Sequence, residues 1–121
     1  SDEVIQVVAG RAHALALKVD GSVVAWGDDS NGQVTVPLDL RVARPHGDRL
    51  RIMAVAAGAY HSLALRANGT VVAWGSNSHK QSTVPNLPPV IQIAAGSRHS
   101  LALLTNGEIR AWGDNSYGQT S

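Results

Sequence analysis

The feature that most restricts this chain is a triple recurrence in a single register. Ala-Trp-Gly occurs three times, with Trp26, Trp74 and Trp112 separated by 48 and 38 residues. His13, His61 and His99 repeat with the same separations, and so do Gly10, Gly58 and Gly96. Three markers in step define a unit of 38 residues, and the first copy carries an insertion of 10 residues after Pro37. A fixed period of this size marks a repeat architecture, in which each unit buries its apolar faces against its neighbours.

Each unit resolves into four short segments. The first is VIQVVAG, IMAVAAG or VIQIAAG, and the second is HALALKV, HSLALRA or HSLALLT. The second segment alternates Leu with Ala or another small residue, which is the period of a strand. Asp20-Gly21, Asn68-Gly69 and Asn106-Gly107 follow, a hairpin signal that predicts a two-residue turn with both residues at positive φ. The third strand is VVAW, VVAW or IRAW, and the fourth is expected at QVTVP or QSTVP after a short loop. Both faces of the predicted strands are apolar, one lined by Leu and one by Ala, as a sheet held between two others requires. The expectation is therefore an all-β chain of three four-stranded antiparallel propeller blades. Blade 1 is placed at approximately 4–37, an insertion hairpin at 38–51, blade 2 at 52–85 and an incomplete blade 3 at 90–121. Helical solenoids are excluded, because no segment of useful length has a 3.6-residue period.

Composition agrees with closely stacked sheets. The chain is 44% hydrophobic yet has no Phe, so its core must be built from small aliphatic side chains. Ten Lys and Arg against nine Asp and Glu leave no general attraction to nucleic acid or acidic membranes, and neither is expected as a partner. The absence of Cys removes disulfides and thiolate metal sites and leaves the compartment open. No apolar run approaches the ~20 residues of a membrane span, and the opening SDEVIQVV is not expected to act as a signal peptide.

The pattern G-x-x-H-[AS]-L-A-L-x-x-[DN]-G-x-[VI]-x-A-W-G-x-[DN]-x-x-[GK]-Q resembles the repeat of the regulator of chromosome condensation family, over nearly three copies and essentially the whole chain. The Thr-Val-Pro ending resembles that of bacterial members, among them a secreted propeller-type inhibitor of β-lactamases. The resemblance implies a propeller, typically of seven blades, and a protein partner. Two finer functions follow from it as alternatives to a general protein-binding scaffold. One is inhibition of a secreted enzyme such as a β-lactamase. The other is nucleotide exchange on a small GTPase with chromatin association, which the near-neutral charge disfavours.

The recurring residues read as scaffold. A His required once per blade is expected to join strand ends by hydrogen bonding, and rotation about a propeller axis separates the three. The Trp side chains are expected between blades with their indole N–H groups satisfied, and Gln33, Gln81 and Gln119 are expected to tie loop backbone. The Asp28-Asp29-Ser30-Asn31-Gly32 run lacks the ligand pattern and distal Glu of a calcium loop, so no metal or cofactor is expected. Asn68-Gly69-Thr70 is a formal glycosylation sequon, but the turn accounts for it. No Ser-His-Asp order, facing carboxylates or phosphate loop appears, so no catalytic residue is assigned and the chain is read as a non-enzyme.

What varies against this constant frame points to the function. Strand parity puts the first-to-second and third-to-fourth loops of every blade on one face. Just before each His stand Ala12, Tyr60 and Arg98, and the matching position of the other loop holds Asn31, His79 and Tyr117. Tyr and Arg are residue types that anchor interfaces. Tyr60, His79, Arg98 and Tyr117 are therefore the candidate partner contacts, with Arg11 and Lys80 at the rim. Lys80 also replaces the Gly found at Gly32 and Gly118. The inhibitor that the chain resembles makes its contacts through the same loop faces.

The insertion reads as an extra hairpin turning at Pro45-His46-Gly47. Leu38, Leu40 and Val42 are expected to face Leu50 and Ile52, with Arg41, Arg49 and Arg51 along the other side. With Arg44 these form a candidate second site on the face opposite the variable loops. Three blades are fewer than the four to eight of a closed ring. Completion is expected either from further sequence of the same polypeptide or from a homodimer, which would make six blades.

Overall fold

A computed structural model of the chain describes residues 3–11, 13–29, 35–37, 40–45, 47–75, 89–96 and 99–113. They contain nine strands: β1 (Val4–Ala9), β2 (His13–Lys18), β3 (Val23–Gly27), β4 (Ile52–Ala57), β5 (His61–Arg66), β6 (Val71–Gly75), β7 (Val90–Ala95), β8 (His99–Leu104) and β9 (Ile109–Gly113). These form three antiparallel sheets in the orders β1-β2-β3, β4-β5-β6 and β7-β8-β9. Among the described residues no α-helix occurs. The all-β fold of stacked blades follows, with three described strands per blade instead of the four expected. The fourth-strand positions lie largely outside the described residues, and the three that are described in blade 1, residues 35–37, form no strand.

The registers are copies of one another. His13 pairs with Gly27, His61 with Gly75 and His99 with Gly113. Each first strand carries an irregularity at its second residue, between Val4 and Gln6, Ile52 and Ala54, and Val90 and Gln92. The residue inserted there is Ile5, Met53 or Ile91, and all three are exposed.

The turns differ from the expected two-residue type. Gly21 N donates to Lys18 O at 2.9 Å and Lys18 N to Ser22 O at 2.9 Å, so Val19 and Asp20 form the corner and Gly21 follows at φ +85°. This is a three-residue loop with a left-handed Gly in the bulge position. The Asp or Asn is explained by its side chain: Asp20 Oδ1 accepts from Ser22 N at 2.9 Å, Asn68 Oδ1 from Thr70 N at 3.0 Å and Asn106 Oδ1 from Glu108 N at 2.9 Å.

Alternation along the strands gives each sheet two apolar faces, here called leading and trailing. Leu15, Leu17 and Val23 on the leading face of blade 1 pack against Ile52, Val55 and Trp74 on the trailing face of blade 2. Leu63 and Leu65 of blade 2 pack in the same way against Val90, Leu104 and Trp112 of blade 3. Small Ala residues beside these Leu let neighbouring sheets approach closely, as the Phe-free composition requires. The core thus consists of two interblade layers.

The insertion does not form the expected hairpin. Its described residues 40–45 and 47–51 contain no strand, because their polar groups bond to the turns of blades 1 and 2. Arg44 N donates to Asp20 O at 2.8 Å, while Arg49 O and Arg51 O accept from Asn68 N and Ala67 N, both at 2.8 Å. Leu40 and Ile52 enter the core, but Val42 is exposed. Arg51 does not line an outer face. It is buried, and its guanidinium donates to Val19 O and Arg44 O beside Gly21. The Arg51→Ala substitution leaves these carbonyls without their donor and is expected to lower stability by about 2 kcal/mol, read as a lower urea midpoint at unchanged m-value.

Candidate functional site

The loops joining the first and second strands are built on a repeated tight turn. Gly10 N donates to His13 O at 2.8 Å, Gly58 N to His61 O at 2.9 Å and Gly96 N to His99 O at 2.9 Å. Successive loops stack without space for a side chain at the glycine. A Cβ at Gly10 would meet Gly58 O and the His13 ring, and one at Gly58 would meet Gly96 O and the His61 ring. Gly is required here for close approach and not for its φ.

Beneath this stack the histidines join blade to blade. His13 Nε2 is 3.2 Å from Ser62 Oγ, and His61 Nε2 is 3.1 Å from Ser100 Oγ. Burial pushes the His61 pKa down to about 4, and burial also lowers that of His13. Both rings are therefore neutral near pH 7, which suits a hydrogen bond to a hydroxyl. A second interblade bond runs from Val55 N to Gln6 Oε1 at 3.0 Å. The repeat pattern alone does not single out the serines or Gln6 as partners, although a signal exists. Ser62 and Ser100 follow His where a blade precedes in the chain, while the first copy has Ala14.

Arg11 and Tyr60 stand on this rigid frame, in the adjacent loops of blades 1 and 2. The Arg11 guanidinium lies 5.8 Å from the centroid of the Tyr60 ring, a cation–π contact that orients both side chains. Arg11 is exposed and Tyr60 half-buried. The structure thus brings together two of the six candidates for this face. His79, Lys80, Arg98 and Tyr117 lie outside the described residues.

The second candidate cluster is only partly accessible. Arg41 and Arg49 are exposed, and Arg41 Nε donates to Val36 O at 2.7 Å. Arg44 is half-buried beside Asp48, with its Nη1 3.4 Å from Asp48 Oδ2. Among the described residues no three His, Asp or Glu side chains come together to hold a metal ion.

The repeat profile described as regulator of chromosome condensation (RCC1) repeat matches residues 4–33, 53–81 and 90–119. No curated protein sequence matches the chain. Among solved structures, Prp20p from Saccharomyces cerevisiae aligns with a TM-score of 0.78 at 28% identity, over 98% of this chain and 34% of its own. Human WBSCR16 aligns at TM-score 0.75 and 22% identity, over 93% of this chain and 33% of its own. The ectodomain of the Physcomitrella patens receptor kinase CR4 aligns at 0.72 and 22%, over 93% and 30%. The chain spans about a third of the length of these relatives. Three matched repeats on three blades that share one register, one turn and one glycine stack place this chain in the regulator of chromosome condensation repeat family.

Proposed function

We propose that the chain is a non-enzymatic protein-binding scaffold that engages its partner through the loop face bearing Arg11 and Tyr60. The observation carrying this reading is the paired Arg11 guanidinium and Tyr60 ring on a stacked-glycine frame. The frame pre-orders two interface-forming side chains, which reduces the entropy lost on association. His79, Lys80, Arg98 and Tyr117 extend the same face by strand parity. Protein binding also accords with the Saccharomyces cerevisiae relative, a structure described together with its binding to Gsp1p and histones.

Binding of the chain to Gsp1p, core histones and a secreted β-lactamase, measured by biolayer interferometry, tests the reading and separates its finer forms. Tyr60→Ala is expected to weaken the binding observed at least tenfold, as loss of an interface anchor does. Asn106→Ala, on the opposite face, is expected to leave it unchanged. Equal affinities for the Tyr60→Ala variant and the parent chain would remove the loop face from the account.

A further inference from the structure

Arg11 is held in place without using the groups by which an arginine recognises an acceptor. Arg41, Arg44, Arg51 and Arg110 each donate to an oxygen of this chain. Arg11 is held instead by the Tyr60 ring, and it donates to no acceptor among the described residues. The N–H donors of its guanidinium fork are therefore all available to a partner. The Tyr60 hydroxyl also has no partner among the described residues. The Arg11–Tyr60 contact lies between two blades of this chain, on loops fixed by the approach of Gly10 to Gly58 O.

The charges nearby restrict what this fork can receive. Gly27 lines one open cleft with Arg11 and His13, and it leads directly into Asp28 and Asp29. Asp28 acts electrostatically on His13, and Asp29 Oδ2 accepts from Thr35 Oγ1 at 2.7 Å. A polyanion with regularly spaced phosphates would run from Arg11 onto these two carboxylates. The chain's formal charge of +1 supplies no general field to offset that repulsion. A single carboxylate avoids it and matches the fork in a bidentate geometry.

We propose that Arg11 receives one carboxylate, from an Asp or Glu side chain on the surface of a protein partner. The inference rests on the loop-face reading and names the chemistry of the partner group. Two parallel N–H···O bonds run from the guanidinium edge to the carboxylate, and Tyr60 forms the wall beside them. The ring holds the guanidinium before the partner arrives, which lowers the entropy lost on binding. Asp28 and Asp29 disfavour a second negative charge beside the first on the partner, so they contribute to selection.

Selection of a random twelve-residue phage-displayed peptide library on the 121-residue chain tests the proposal. Peptides whose binding is lost in Tyr60→Ala are expected to share one Asp or Glu. Arg11 is exposed, so Arg11→Gln, Arg11→Lys and Arg11→Glu are expected to keep the circular dichroism spectrum of the parent. Arg11→Gln is expected to weaken such a peptide at least tenfold. Arg11→Lys keeps the charge but not the fork and is expected to weaken it about fivefold. Replacing the shared acid by Lys is expected to restore binding to Arg11→Glu, and a 20-base-pair DNA duplex is expected not to compete. Tyr60-dependent peptides without an acid, or unaffected by Arg11→Gln, would overturn the carboxylate while leaving the loop face standing. Competition by the duplex would also overturn it. Peptides indifferent to both Tyr60 and Arg11, or no selected peptide, would remove the loop face together with the carboxylate.

Discussion

Gly58→Ala is expected to destabilise the fold by about 3 kcal/mol, a large share of the 5–15 kcal/mol typical of a domain. The added methyl would sit under 3.0 Å from both the His61 ring and the Gly96 carbonyl. Neither neighbour can yield easily. The ring is fully buried and bonded to Ser100, and the carbonyl belongs to the backbone of the next blade. Relief requires blades 2 and 3 to separate, so the loss falls on the interblade layer. Gly107→Ala is the informative control, since Gly107 has φ +89° and open space around it. It is expected to cost only about 1 kcal/mol of backbone strain. A urea-denaturation ranking of Gly58→Ala above Gly107→Ala establishes that contact, and not φ, selects glycine in these loops. The reverse ranking would refute the stacked-loop account.

The second large effect is a loss of stability in mild acid. His61 has a folded-state pKa of about 4 because burial disfavours its charged form, with additional repulsion from His13 and His99. In the unfolded chain a His titrates near 6.5. Between these values the unfolded state binds more protons, so stability falls as the pH is lowered. The contribution is fully present above about pH 6.5 and is lost progressively toward pH 4. Its full size is on the order of 3 kcal/mol. His13, also lowered by burial, adds in the same direction. Asp20 is held below the usual carboxylate range by bonds from Ser22, and Asp48 by the bond from Leu50 N, so both titrate below this window. The urea midpoint of the parent chain is therefore expected to drop steeply between pH 7.5 and 4.5. His61→Gln removes the titrating group, and its pH profile is expected to be flatter despite lower stability at pH 7.5. An equally steep profile in that variant would assign the acid sensitivity elsewhere.

The two effects explain which parts of the structure can be read from residues in order. Blade number, strand positions and the two apolar faces follow from the alternation in HALALK and HSLALR, because each repeat experiences the same surroundings. The interblade role of Trp74 and Trp112 is equally legible, since both are buried against the preceding blade. The turn type is not legible in the residues, because Asp-Gly and Asn-Gly serve both two-residue and bulged three-residue loops. Only the register of Lys18 with Ser22 separates them. The burial of Arg51 is hidden for a related reason. An alternating arm with Pro-His-Gly at its centre satisfies a hairpin pattern, but the carbonyls of Val19 and Arg44 provide a buried alternative for the guanidinium. That competition depends on tertiary position and leaves no local trace. At the candidate face, the choice of variable positions came from comparing repeats. The Arg11–Tyr60 contact required knowledge that loops one repeat apart stack directly on each other.

The loop-face reading is tested most directly by site-specific photo-cross-linking. Benzoylphenylalanine introduced at Tyr60 is expected to form covalent adducts with a protein partner in cells that express the chain. The same probe at Asn106, on the turn face, is expected to form none. Adducts at Asn106 with none at Tyr60, or equal yields at both positions, would contradict a partner-binding loop face.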